Sequence, residues 1–513
     1  MNELDKRKEK IKLWLKNPYN LALIGIMLLA FIIRLYYFFL TKDQALWWDE
    51  AEYMLKARAI FKGTPLTGLA PFREVLIPYI WAFFYAVGNS EIMVRLLQVL
   101  ISTFTVFMTY LVGKQLFDRR VGLVSALFIS TFSIQLFFTN RILTYLWTPL
   151  IYLSVISLFL KGLEGKNKPL YLSASLLALG IVAYFNTIFL AFLLFIFLVF
   201  TEKTKLFKEK RWIVFFIVFI LTLLPFLIYY FVTAGVPLPR FIQVQMVQDR
   251  TFDNKILPFA QWFGFIPQII RSVGDPSYLG FPLFFFLLIG LYSLFEVVMS
   301  FDIFIKSKPA KLTNNFLLWL WILVPLVSLS AIIIILNSTD FYDAFLMPIF
   351  PGLAIASSLG FLFLYDYTKK YSPNIIKLFS AIIIVFALFT SLSYANGMIL
   401  NKVSSYDSLK QAGLWLKENT NAGDNILTDA LPEITYYSER ATYPAPRTED
   451  NMSAAINESH PLFFVLSAYE APVMWSRDYA QRHPEKVTPV IGFPTNQNPT
   501  TIILWINQSA FNQ

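Results

Sequence analysis

The 513-residue chain has no cysteine, which excludes disulfides, thiolate-bound zinc and thiol nucleophiles without fixing a compartment. Its two histidines, His460 and His483, are too few for a histidine-based metal site. Charged side chains make up 15% of residues, against about 25% in ordinary soluble proteins. What fills the gap is hydrocarbon: 57% of residues are hydrophobic and 52 are Phe, more than a soluble protein could hide. The net charge of +10 does not point to nucleic acid, because the basic residues cluster in short loops between apolar runs.

About 20 apolar residues cross the roughly 30 Å of bilayer hydrocarbon, and many windows of the sequence qualify. The runs predict eleven spans, near 20–40, 91–113, 121–139, 146–161, 169–184, 187–201, 212–232, 281–301, 315–336, 344–365 and 374–397. Basic residues gather in the N-terminal tail, at Lys114 to Arg120, Lys161 to Lys168, Lys203 to Arg211, Lys306 to Lys311 and Lys369 to Lys370. These loops share one side if 169–201 is a tight hairpin turning near Asn186, and the positive-inside bias then makes that side cytoplasmic. The first span is not a cleavable signal peptide, since Arg34 interrupts it and no small-residue cleavage site follows.

The expected organisation is a cytoplasmic basic tail (1–19), a transmembrane domain (20–397) with external loops 41–90 and 233–280, and an external α/β domain (398–513). This is a mainly α, polytopic protein of the cell membrane. In loop 41–90, Val75 to Tyr85 is too short to cross and suits a helix lying at the interface or packing locally. After residue 400 an amphipathic run at Leu409–Glu418, strand-like Ile426–Thr428, a helix start at Pro432, and apolar strands at 462–467 and 501–505 predict the α/β domain. That domain contains no glycine-rich phosphate loop, and a lid or docking role is its simplest reading.

Directly after the first span stands Trp47-Trp48-Asp49-Glu50-Ala51-Glu52-Tyr53. Carboxylates beside hydrocarbon are costly to desolvate, and desolvation raises basicity toward that of a general base able to take a hydroxyl proton. Asp49 is the candidate base, Glu50 a supporting acid and Glu52 a solvated one. Guanidinium groups bind phosphate bidentately, which makes Arg73 and Arg141 candidate ligands of a phosphorylated lipid. The plainer alternatives are a helix cap for Asp49 and a snorkelling side chain for Arg141.

The order of "WWDEAEY", "PFREVLIPYIW", "GNSEIMVRLLQVL", "KQLFDRRVGLVSALFIS" and "FLMPIFPGLA" resembles GT-C glycosyltransferases of the protein O-mannosyltransferase and aminoarabinose transferase (ArnT-like) type, over about residues 20–366. The resemblance implies an inverting enzyme that takes a sugar from a polyprenyl-phosphate carrier on the non-cytoplasmic face, with a protein, lipid or glycan acceptor. It implies Asp49 as base and Arg73 as a ligand of the carrier phosphate, with Tyr53 a further substrate-binding candidate. Relatives often carry an acid after the third span, whereas Asn140 to Trp147 has none; many have Arg-Tyr before "MPIFP", where this chain has Phe341-Tyr342-Asp343-Ala344. Arg271 or Arg250 of loop 233–280 would then substitute for the missing cation. The first loop lacks Asp-x-Asp, so no cofactor is expected and a divalent cation is not supported. The rival readings are a flippase or transporter for lipid-linked sugars and a non-catalytic subunit of a glycan-assembly complex.

Overall fold

The computed structural model describes residues 3–64, 74, 76–88, 90–234, 274–275, 279–299, 310–335, 343–469, 474–495 and 498–511. The chain packs as two units, one of Met1–Phe39, Glu74–Ile77 and Arg95–Ile399, the other of Leu40–Arg73, Pro78–Val94 and Leu400–Gln513. In chain order the helices before residue 235 are α1 (Glu3–Leu15), α2 (Pro18–Thr41), α3 (Trp48–Lys62), α4 (Leu76–Tyr85), α5 (Ser90–Leu116), α6 (Arg119–Ser130), α7 (Ser133–Thr139), α8 (Trp147–Leu163), α9 (Asn167–Ala183), α10 (Ile188–Glu202), α11 (Lys205–Lys208) and α12 (Lys210–Ala234). After them come α13 (Gly280–Met299), α14 (Ala310–Ile335), α15 (Phe350–Thr368), α16 (Pro373–Leu400), α17 (Asp407–Asn419), α18 (Leu431–Ser438), α19 (Met452–Ser459) and α20 (Tyr479–Arg482).

Each of the eleven expected spans falls on helix among the described residues. Among the described residues eight segments are long and apolar enough to cross a membrane, which makes this an integral, multi-pass membrane protein. The expected span 121–139 is the pair α6 and α7, bent by 59°, and it makes a ninth if it crosses as one. The expected spans 169–184 and 281–301 fall on shorter apolar helices, Asn167–Ala183 and Gly280–Phe295. Near Asn186 a single 3-10 turn, Phe185–Thr187, separates α9 from α10.

Membrane helices gain little from apolar burial against one another and rely on close backbone approach. In the helical unit α13 crosses α15 at Gly290 and Gly360, where a Cβ on either glycine would run into backbone of the other helix. Ser125 of α6 donates to Ser358 of α15 at 3.1 Å. At the α6–α7 bend, the Ser130 carbonyl accepts from Arg34 Nη1 at 2.9 Å and the Thr131 carbonyl from Ser391 Oγ at 2.6 Å. A break in a helix frees carbonyls that lipid cannot satisfy, and these two side chains receive them.

In the second unit, β1 (Asn425–Thr428), β2 (Ala441–Pro444), β3 (Pro461–Ser467), β4 (Val487–Phe493) and β5 (Thr501–Ile506) form one sheet in the order β2-β1-β3-β5-β4. β1 is parallel to β2 and β3, while β5 is antiparallel to β3 and β4. Alternate residues enter opposite faces: Ile426, Phe463, Val465 and Ile503 pack with α17 and α18, whereas Leu427, Phe464 and Leu504 pack with α19 and α20. Cover on both faces explains why β3 reads Leu-Phe-Phe-Val-Leu without alternation. The expected helices at 409–418 and from 432, and the strands at 426–428, 462–467 and 501–505, are all present; β2 and β4 were not anticipated.

Candidate active site

The acidic motif lies on α3. Trp47 is extended (φ −84°, ψ 170°), and its N–H donates to Glu50 Oε2 at 2.9 Å, so Glu50 closes the first turn of its own helix. The helix stops at Gly63, whose φ of +66° suits glycine; the Gly63 N–H reaches Ile60 O and the Thr64 N–H reaches Ala59 O. Asp49 stands in the first turn, half-buried, where the helix dipole favours a carboxylate. Glu50 is fully buried. Glu52, expected to be solvated, is half-buried and accepts from the Trp48 indole N–H at 3.1 Å, because a tryptophan one turn earlier on the same face covers it. Tyr53 is fully buried, edge-on to Trp81 with ring centroids 5.7 Å apart.

The segment before α3 has no regular structure, yet its polar groups are met. Lys410 Nζ donates to Asp43 O at 2.9 Å, and Gln44 Nε2 donates to Lys402 O. The Leu46 N–H donates to the Tyr437 hydroxyl at 2.9 Å, and Trp47 Nε1 donates to Ser405 Oγ at 2.9 Å. The Trp47 ring stacks on Tyr406 at 5.8 Å. Burial holds the Asp407 carboxyl above its ordinary range, against the opposing pull of the Ala45 N–H and of Lys410.

Farther along, Arg58 Nη1 and Nη2 donate to the carbonyls of Tyr436 and Thr435 at 3.0 and 3.3 Å, a cation at the C-terminal end of α18. The Tyr85 hydroxyl donates to Met54 O at 3.1 Å and lies 3.4 Å from the Tyr436 hydroxyl. Burial raises both phenols, Tyr436 well above its usual value, so both are neutral hydrogen-bonding groups. A cleft of about 250 Å³ opens beside α3, lined by Arg58, Lys62, Thr64, Thr435, Glu439 and Arg440. A hydrogen bond from Lys417 holds the Glu439 carboxyl below its ordinary range, with help from Arg58.

In the helical unit, Arg141 lies in the turn between α7 and α8. It is buried with its guanidinium over the Phe137 ring at 5.6 Å, so it does not snorkel at a span end. That turn is held from α5: Arg95 Nη1 donates to Asn140 O, and Gln98 Nε2 donates to Arg141 O and Leu143 O at 3.1 and 2.8 Å. Gln98 Oε1 accepts from Trp147 Nε1 at 2.9 Å. Arg95 and Gln98 are three residues apart, on one helix face, the one signal in the sequence that could have identified this buttress.

The structure therefore gathers Asp49, Glu50 and Tyr53 on α3 in the second unit, and sets Arg141 in a braced turn of the first. Arg73, Arg250 and Arg271 lie outside the described residues. Among the described residues no three His, Asp or Glu side chains are grouped to hold a metal ion. Sequence reasoning missed Arg58, Tyr85, Asp407, Tyr436 and Tyr437, which fix α3 and its approach.

A family model described as dolichyl-phosphate-mannose-protein mannosyltransferase matches residues 72–229. Against curated proteins the sequence has no match. Among solved structures, ArnT from Cupriavidus metallidurans superposes with a TM-score of 0.61 at 11% identity, covering 98% of this chain and 99% of that one. The same protein bound to undecaprenyl phosphate gives 0.60 at 10% identity, with 94% and 97% covered. The Archaeoglobus fulgidus oligosaccharyltransferase tethered with an acceptor peptide gives 0.61 at 13% identity, with 86% of this chain and 68% of that one covered. These neighbours are GT-C glycosyltransferases, and this chain has their fold.

Proposed function

We propose that this GT-C-fold protein transfers a sugar from a polyprenyl-phosphate-linked donor to an acceptor hydroxyl on the non-cytoplasmic face, inverting the anomeric centre, with Asp49 as general base. The observation that carries the reading is the placement of Asp49: half-buried, in the first turn of a helix fixed at both ends, directly after a membrane span. The mannosyltransferase family match over residues 72–229 supports the reaction class, and the undecaprenyl phosphate held by ArnT supports the carrier.

In the proposed step the acceptor O–H gives its proton to the Asp49 carboxylate as its oxygen attacks the anomeric carbon. The bond from that carbon to the carrier phosphate oxygen breaks, and polyprenyl phosphate leaves with the electron pair. Cations answer the charge that develops on the phosphate. Arg73, Arg141 and Arg271 are the proposed cations, with Tyr53 as a wall of the site. Acceptors of three kinds, protein, lipid and glycan, fit this chemistry.

Asp49→Asn should abolish transfer in membranes supplied with polyprenyl-phosphate sugar while protein level stays normal, and wild-type transfer would sink the assignment. Mass spectrometry of lipid-linked sugars in cells with and without the gene should reveal an accumulated polyprenyl-phosphate sugar, which names the donor.

A further inference from the structure

Five consecutive residues without helix or strand, Asp43 to Trp47, lead to the helix that carries Asp49, and four of them, Asp43, Gln44, Leu46 and Trp47, are held by the C-terminal part of the chain. The partners come from two short stretches, Lys402 to Lys410 and Tyr437, more than 350 residues away; the Leu46–Tyr437 bond alone spans 391 positions. Leu46 is fully buried, so its amide is out of reach of water and relies on the Tyr437 hydroxyl. Tyr437 is placed by its own packing. Its Cβ lies where a side chain on Gly413 of α17 would meet it at 2.5 Å, its ring sits edge-on to Tyr436 at 5.1 Å, and Lys410 Nζ lies 5.7 Å from the ring centroid.

We propose that the C-terminal domain is a positioning clamp for the Asp49 carboxylate, with Tyr437 as its positioning residue. The inference rests on the reading of Asp49 as the base, and it gives the domain a task beyond that of a lid or docking surface. The physical reason is that an irregular segment has no internal ladder to fix it, so the register at which α3 begins is set by whatever receives its amides. The last of those backbone contacts falls at Leu46, three residues before Asp49. Small misplacement of a catalytic group is expensive, and displacement of about 1 Å can cost on the order of 100-fold in rate.

The test compares wild-type, Tyr437→Phe, Asp49→Asn and Leu504→Ala proteins in host membranes, with an organic-solvent extract of those membranes as donor. Tyr437→Phe keeps the ring and its packing but loses the acceptor for Leu46. It should lower the maximal rate about 10-fold, leave the half-saturating amount of extract unchanged, and speed hydrogen exchange in the peptide spanning residues 43–50. Leu504→Ala thins the apolar core of the same domain; it should lower the unfolding temperature yet leave the maximal rate per folded molecule and the exchange of 43–50 as in wild type. A wild-type maximal rate or unchanged exchange in Tyr437→Phe, beside an inactive Asp49→Asn, would overturn the clamp alone. Wild-type transfer in Asp49→Asn would overturn the base assignment, and with it the purpose of the clamp.

Discussion

In the helical unit, two buried arginines are received by carbonyls and a hydroxyl. Arg34 donates to Ser102 Oγ at 2.7 Å and to the carbonyls of Ala30 and Ser130, and Arg95 donates to Asn140 O. In the second unit a buried carboxylate serves the backbone instead: Glu50 accepts the Trp47 amide, beside Arg58, which still meets the carbonyls of Tyr436 and Thr435. The difference follows from what each backbone leaves over. Bent and interrupted membrane helices strand carbonyls, which call for cations, whereas a coil leading into a helix strands N–H groups, which call for carboxylates. Several buried charged groups in this protein thus serve backbone that departs from regular structure, a need that does not account for the placement of Asp49.

Four substitutions or conditions would break or sharpen that contrast. The largest effect belongs to Asp49→Asn, a loss of more than about 100-fold in transfer with unchanged thermal unfolding. Arg34→Leu should destabilise the helical unit by about 1–3 kcal/mol, read as a lower unfolding temperature in detergent, because the Ser130 carbonyl loses its partner; an unshifted transition would deny that the cation serves the bend. Glu50→Ala should cost about 1 kcal/mol through the lost cap. Glu50→Gln, which can still accept the Trp47 N–H, should cost less and keep transfer, and an inactive but stable Glu50→Gln would give Glu50 a chemical role. The smallest effect is on pH. Lys417 holds the Glu439 carboxyl low, and Arg482, with His483, does the same for Glu449. A carboxyl depressed in the folded state contributes stability above its unfolded range and loses it as pH falls through the folded value. The unfolding temperature should therefore drop on acidification from about pH 7 to about pH 4, and Glu439→Gln with Glu449→Gln should flatten that slope.

Much of this was legible in the sequence. Long apolar runs announce membrane helices, and Phe463-Phe464-Val465 could be read as a strand because both faces are covered. The two missed strands, β2 and β4, are the two edges of the sheet. An edge tolerates exposure and proline: β2 is largely exposed, and β4 carries Pro489 beside a register shift. The expected span 121–139 carries a 59° bend between α6 and α7 that the continuous apolar run conceals, since hydropathy does not register direction. The candidate site was legible as residue types around Asp49. Its supports were not, because Tyr437 meets Leu46, and Ser405 meets Trp47, only through tertiary folding.

The bend between α6 and α7 also constrains what can be exchanged in this chain. Arg34 stands in for the amides that a straight helix would have offered the Ser130 carbonyl, and its planar fork reaches Ser102, Ala30 and Ser130 together. Lysine, a single point donor on a flexible stem, could not span them. The kink and the arginine are thus one heritable unit: straightening the helix would leave a cation stranded in hydrocarbon, and removing the cation would leave a carbonyl there.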